Sequence, residues 1–149
     1  MTPARHRVYL IDTDVISEAR KRGKANKGVV KFFRQVAKDD VALYLSAITV
    51  GELRRGVELI RHRGDTAQAQ LLDAWLTILL SEYHDNLLPL DDAAAQVWGR
   101  LRVPHPENAL DKQIAATALI HDLTLVTRNE KHFAGSGAKL LNPFEPARS

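Results

Sequence analysis

Apolar positions along the chain fall into two rhythms. Val8-Tyr9-Leu10-Ile11 runs into Asp12-Thr13-Asp14, Val41-Ala42-Leu43-Tyr44-Leu45 runs into Ser46, and Leu123-Thr124-Leu125-Val126-Thr127 runs into Arg128-Asn129. Short apolar runs closed by polar residues predict buried strands over about 8–12, 41–45 and 123–127. Leu87 to Leu90 predicts a further short strand, curtailed by Pro89, and Lys139 to Leu141 a last edge strand. Between these runs the period changes to that of a helix. Val29, Val30, Phe33 and Val36 form the inner face of a helix over 27–37. Val50, Leu53, Val57 and Ile60, at steps of three, four and three, do the same over 48–62. Asp65 caps a helix over 65–82 whose inward stripe is Leu72, Trp75, Leu76 and Leu79. Asp91 caps another over 92–102; a short helix is expected near 14–21, and one rich in small residues over 109–121. Strands alternating with helices predict an α/β fold, a three-layer α/β/α sandwich around a mainly parallel central sheet. With no repeat, low-complexity tract or linker, one domain over 1–149 is expected, its ordered core about 7–145.

Composition narrows the chemistry. A chain of 149 residues, 45% hydrophobic, builds a core without staples. It contains no cysteine, which excludes disulfides, cysteine zinc sites and thiol nucleophiles. Val8 to Ile11 is too short for a secretory signal core. No apolar stretch approaches the roughly 20 residues of a membrane span. A cytoplasmic protein with no membrane association is expected. Net charge is only +3, but it is unevenly spread: residues 1–38 hold ten Lys or Arg against three acids, a local +7, and the other 111 residues carry −4. The dense part, Arg20 to Lys27, is either a solvated turn or a patch that attracts phosphate.

Against that background three carboxylates stand out. Asp12 ends the first strand, at the edge where open α/β sheets bind ligands. Glu52 and Asp111 stand near the starts of two helices. Each has an ordinary role open to it: Asp12 as a cap for the next helix, the other two as first-turn acids favoured by the helix dipole. Brought to one edge, the three would repel one another unless a cation sat between them. Hard oxygen ligands suit Mg²⁺ or Mn²⁺, and phosphoryl transfer is the usual chemistry of such a site, so the leading expectation is a metal-dependent nuclease.

Four segments carry a family resemblance. Ile11-Asp12-Thr13-Asp14-Val15-Ile16, Leu45 to Leu53, Asp111 to Ala118, and Val126-Thr127-Arg128-Asn129 with Phe133 resemble, in order, the four blocks of PIN-domain ribonucleases. They are most similar to those of VapC-type toxins of bacterial toxin–antitoxin modules. The resemblance implies a PIN-like α/β/α domain that cleaves RNA with Mg²⁺ or Mn²⁺ held by Asp12, Glu52 and Asp111. It also implies a homodimer, inhibited by a cognate VapB-like antitoxin whose C-terminal segment crosses the active-site groove and whose other half binds operator DNA. Two positions depart from the family's pattern: Asp14 stands where Asn is frequent, and Asn129 where another acid is frequent. Asn129 keeps a catalytic place in this reading, as a neutral amide able to hold water. Asp12 and Asp111 are expected to hold the ion, and Glu52 to orient or deprotonate a metal-activated water, leaving 3′-hydroxyl and 5′-phosphate ends. Thr13, Asp14, Ser46 and Thr127 are candidate supporting residues; the hydroxyls among them would otherwise be strand-end caps.

Two other readings use the same residues. Asp12-Thr13-Asp14-Val15 also fits the first motif of haloacid-dehalogenase-type phosphatases, with Asp91-Asp92 as a late acidic pair. Residues 39–111, however, contain no Lys for the position between them. A non-catalytic module would use the basic N-terminal third to hold nucleic acid or a partner, leaving the acids dispensable. The histidines form no His-x-x-x-His pair and there is no Gly-x-Ser-x-Gly elbow; His62, His84 and His121 are expected at the surface. The helix over 65–82 carries more leucine and isoleucine than one stripe needs, which fits either a dimer or antitoxin groove or deep burial. Arg54, Arg55, Arg61 and Arg63 are candidates to pair with an acidic antitoxin tail or RNA.

Overall fold

The computed structural model describes residues 8–146. The first seven residues of the N-terminal basic third, and the first of the expected core at residue 7, lie outside that range. Five strands, β1 (Tyr9–Ile11), β2 (Leu43–Ser46), β3 (Leu87–Leu88), β4 (Thr124–Val126) and β5 (Leu140–Leu141), form one sheet in the order β3-β2-β1-β4-β5. Every pairing is parallel, with Tyr9 opposite Leu43 and Ile11 opposite Val126. The strands are shorter than the apolar runs, because Val41, Ala42 and Leu123 lead into them and Thr127 leads out. Pro89 stops β3 after two residues, as expected of a residue with no N–H to donate.

Among the described residues seven α-helices flank the sheet: α1 (Thr13–Ala19), α2 (Lys27–Lys38), α3 (Ala47–His62), α4 (Thr66–Glu82), α5 (Asp92–Leu101), α6 (Ala109–Ile120) and α7 (Glu130–Phe133). Alternation along each strand divides the core into two layers. Ile11, Leu45 and Val126 join Val15, Val29, Leu53, Val57 and Leu76 on the side of α1 to α4. Leu10 and Leu125 point the other way, to Ile114, Ala115, Ala118 and Phe133 of α6 and α7. Small residues on α6 let that helix lie close to the sheet, so the three-layer sandwich follows from the sequence pattern.

Three expectations are corrected. On α3 the buried stripe is Thr49, Leu53 and Val57, with the expected Val50 and Ile60 only half-buried; the helix begins one residue early, capped by Ser46. On α4 Leu76 and Leu79 are buried, but Leu71 and Ile78 are 68% and 59% exposed, so deep burial does not account for the surplus. The turn after β4 contains the short helix α7, whose four residues were too few for any period to be seen. Among the described residues no helix is long and apolar enough to cross a membrane.

Candidate active site

The end of β1 sets the site. Asp12 continues the ladder by donating its N–H to Val126 O at 2.9 Å, then turns extended to cap α1. Its carboxylate is buried and each oxygen accepts one hydrogen bond, Oδ1 from Thr13 N–H and Oδ2 from the Thr127 hydroxyl, both at 2.8 Å, which leaves lone pairs for an ion. Burial, then the nearby Asp14 and more weakly Asp111, push the Asp12 carboxyl up to about 7, against the hydrogen bonds from Thr127 and Thr13. Asp12 therefore both caps the helix and presents a costly buried charge.

Asp14 lies in the first turn of α1. Its Oδ2 accepts Arg128 N–H at 3.1 Å, while its Oδ1 is buried with no partner. Burial raises the Asp14 carboxyl and Asp111 raises it further, against the Arg128 backbone hydrogen bond. An orphaned carboxylate oxygen in a polar pocket is costly without a donor or a cation. Asp111, in the first turn of α6, comes from the other half of the sandwich, and its Oδ2 stands 2.8 Å from His132 Nδ1 on α7.

Glu52 approaches from α3 through Thr13. The Thr13 hydroxyl donates to Glu52 Oε1 at 2.8 Å and lies 3.2 Å from the Thr49 hydroxyl. The structure thus gathers Asp12, Asp14 and Asp111 within electrostatic reach of each other and joins Glu52 to them by the Thr13 hydroxyl. Among the described residues no three His, Cys, Asp or Glu side chains form a ready-made metal cage. The donors nevertheless fit Mg²⁺ or Mn²⁺: all are hard oxygens, and one is buried and orphaned. Mg²⁺ in particular retains several waters and needs only one or two carboxylates.

The supporting residues divide by role. Ser46 is buried and its hydroxyl is occupied as the α3 cap, accepting Ile48 N–H at 2.9 Å and Thr49 N–H at 3.4 Å. Thr127 is fully buried and relays: its oxygen donates to Asp12 and accepts Asn129 N–H at 3.0 Å. The Asn129 side chain makes no capping bond and is exposed beside the site. Asp91 accepts Ala94 N–H at 3.0 Å as the cap of α5, so the Asp91-Asp92 pair is a helix start rather than a phosphatase motif. Arg54 and Arg61 are not free for a partner's acids: with Glu58 and Asp73 they form a network between α3 and α4. His62, His84 and His121 are exposed near helix ends, as expected.

Sequence reading alone missed His132 and Arg128. A lone histidine three residues after Asn129 has no periodicity to distinguish it, and only the docking of α7 on α6 brings it to Asp111.

The PIN domain family model matches residues 9–135. Toxin FitB of Neisseria gonorrhoeae (strain ATCC 700825 / FA 1090) is 35% identical over 142 residues, spanning 92% of this chain and 99% of that protein. VapC ribonuclease Y4jK of Sinorhizobium fredii (strain NBRC 101917 / NGR234) is 32% identical over 147 residues, spanning 94% and 100%. The crystal structure of FitAcB from Neisseria gonorrhoeae superposes with a TM-score of 0.78 at 35% identity, covering 91% of this chain and 97% of that one. With a family match across most of the chain, two relatives aligned nearly end to end and the all-parallel sheet in place, the chain belongs to the PIN domain family.

Proposed function

We propose that this protein is a Mg²⁺- or Mn²⁺-dependent endoribonuclease, the toxin of a type II toxin–antitoxin pair, acting as a single domain over 1–149 in the cytoplasm. The observation that carries the reading is the meeting of Asp12, Asp14 and Asp111 at the C-terminal edge of β1, with the Asp14 Oδ1 atom buried and unpaired. Its relatives' names, a toxin and a VapC ribonuclease, support the assignment.

When bound, the divalent ion supplies positive charge beside the scissile phosphate and activates water for attack on phosphorus. Asp12 and Asp111 would hold it, and Asp14 would add its orphaned oxygen to that expected set. Thr127 and Thr13 N–H fix the Asp12 rotamer, so the carboxylate needs no reorganisation on binding. Glu52 takes the proton: Thr13 engages its Oε1, leaving Oε2 as the acceptor. Asn129, exposed beside Thr127, orients water. As the water oxygen bonds to phosphorus the P–O3′ bond breaks, and the leaving 3′-oxygen takes a proton from solvent, giving 3′-hydroxyl and 5′-phosphate ends.

The antitoxin's place is a groove between α1, α2 and α4. It encloses about 440 Å³ and is lined by Ile16, Arg20, Phe33, Trp75, Ile78 and Tyr83. Arg20 and Trp75 also line a smaller cleft that reaches Thr13 and Glu52, so an apolar segment with an acidic or polar tip would run from the groove to the site. The exposed Leu71 on α4 is an apolar contact available to a homodimer.

The test is digestion of total cellular RNA with Mg²⁺ or Mn²⁺, with EDTA, and with Asp12→Asn. Cuts bearing 5′-phosphates that vanish with EDTA and in the variant are expected. Intact RNA throughout, with unchanged RNA binding by Asp12→Asn, would replace the nuclease with a binding module; phosphate release from small phosphoesters would make it a phosphatase.

A further inference from the structure

Arg128 follows the buried Thr127 directly, so its side chain leaves the sheet at the mouth of the carboxylate site. Its backbone N–H is committed to Asp14. Its guanidinium carbon lies 4.6 Å from the centroid of the Phe144 ring. Among the described residues that guanidinium enters no ion pair and no hydrogen bond, although Asp14 and Glu18 both feel its charge. Stacking on a ring leaves the in-plane N–H donors of a guanidinium free, in the fork that matches two phosphate oxygens.

Phe144 is itself held. It belongs to a strap, residues 142–145, that follows β5 and lies on the start of α2. Phe144 N–H donates to Asn142 Oδ1 at 3.0 Å. Asn26, the cap of α2, binds Glu145 twice, accepting its N–H and donating to its carbonyl, both at 2.9 Å. The Pro143 carbonyl rests where Gly28 has no side chain; a Cβ there would stand 2.1 Å from that oxygen. Asn26 N–H in turn donates to Glu18 Oε2 at 2.9 Å. The strap is thus latched to the start of α2, which Glu18 ties in turn to α1, and the ring beneath Arg128 is held with it.

A site built of carboxylates repels a polyanion, and Arg128 is a cation that the fold places beside Asp14. We propose that Arg128 binds a phosphate of the RNA strand beside the scissile one, and that the strap acts as its positioning element through Phe144. The proposal rests on the ribonuclease reading above and adds to it a substrate-binding residue and the part of the fold that aims it. Phe144 touches no substrate; it acts through Arg128.

The experiment measures binding of a fluorescein-labelled single-stranded oligoribonucleotide of mixed sequence as a function of salt, with Mg²⁺, in the Asp12→Asn background. It compares that protein with Arg128→Ala, Arg128→Lys, Phe144→Leu and Phe144→Tyr, each checked by thermal unfolding. Arg128→Ala is expected to weaken binding about tenfold, and to lower the slope of log affinity against log salt by about 0.7. Arg128→Lys should recover part of the affinity and all of the slope. Phe144→Leu should weaken binding about threefold at unchanged slope, and Phe144→Tyr, which keeps the ring, should restore it. Unchanged affinity and slope in Arg128→Ala would overturn the proposal and leave the ribonuclease reading intact. Equal affinities for Phe144→Leu and Phe144→Tyr would remove the strap's role. RNA that is neither bound by this background nor cut by the parent protein would overturn both readings.

Discussion

Thr127 Oγ1 donates to Asp12 Oδ2 at 2.8 Å, across 115 positions of sequence and between two neighbouring parallel strands. Both groups are buried, so the bond fixes the orientation of a carboxylate that water cannot solvate. Thr127→Val keeps the shape and removes the donor. Cleavage is expected to fall about tenfold in kcat, and unfolding free energy by about 1–3 kcal/mol, the cost of a lost hydrogen bond to a buried charge. Thr127→Ser, which keeps the hydroxyl, should recover most of the rate. Steady-state cleavage and denaturant unfolding of both variants provide the check.

Glu52 is placed differently. It is half-buried on α3 and tied to the other acids only by the Thr13 hydroxyl. Glu52→Gln preserves that hydrogen bond and removes the proton acceptor. The rate of RNA cleavage should fall about 100-fold, with affinity for RNA and melting temperature unchanged. Loss of binding in step with rate would instead give Glu52 a place in substrate binding.

Much of this fold was legible because strand and helix periods alternate cleanly and three of the strands lead into a capping residue: Asp12, Ser46 and Asp91 all cap as their positions suggest. The first-block and third-block acids could be placed at one edge for the same reason. What could not be read depends on how elements dock. Asp14 reads from the sequence only as a supporting residue in the first turn of α1, and only burial beside Asp111 separates it from any first-turn acid. His132 needs α7 against α6. Arg128 needs the ring of a residue 16 positions later, in a strap with no period of its own. Conversely, Arg54 and Arg61 read as available charges until Asp73 of the next helix is found between them.

Metal binding should appear as stability. Asp12, Asp14 and Asp111 repel one another without an ion, so Mn²⁺ binding to the folded chain raises its melting temperature. At 100 times the dissociation constant the gain is about 2.7 kcal/mol, and for a chain of this size roughly 2–4 °C per kcal/mol. Asp14→Asn removes one of the charges and should raise the metal-free melting temperature while shrinking the rise with Mn²⁺. Differential scanning with and without Mn²⁺ reads both effects. An undiminished Mn²⁺ response in the variant would exclude Asp14 from the ion's ligands.

Gly28 should tolerate no side chain. It is buried under Pro143, and a Cβ would meet backbone, which yields less readily than a flexible side chain. Gly28→Ala gains helix propensity within α2 but must displace the strap. A net loss of about 1–3 kcal/mol is expected, as for overpacking elsewhere. Chemical denaturation measures it; a more stable Gly28→Ala protein would mean that the strap is not seated on α2.

Glu18 ties the same corner to pH. The Lys21 ammonium, together with Asn26 N–H, holds its carboxyl below the ordinary 4.5. A carboxyl depressed in the folded state contributes stability that is fully present above its unfolded value and is lost as pH falls through the folded one. The stability difference between the parent protein and Glu18→Gln should therefore be constant from neutral pH to about 5.5, then shrink as pH falls below 4.5. Because Asn26 carries both the α2 cap and the strap, Glu18→Gln should also loosen the C-terminal segment, read as faster amide exchange at Glu145. A stability difference that grows on acidification would show that Glu18 is not held as an anion by Lys21 and Asn26.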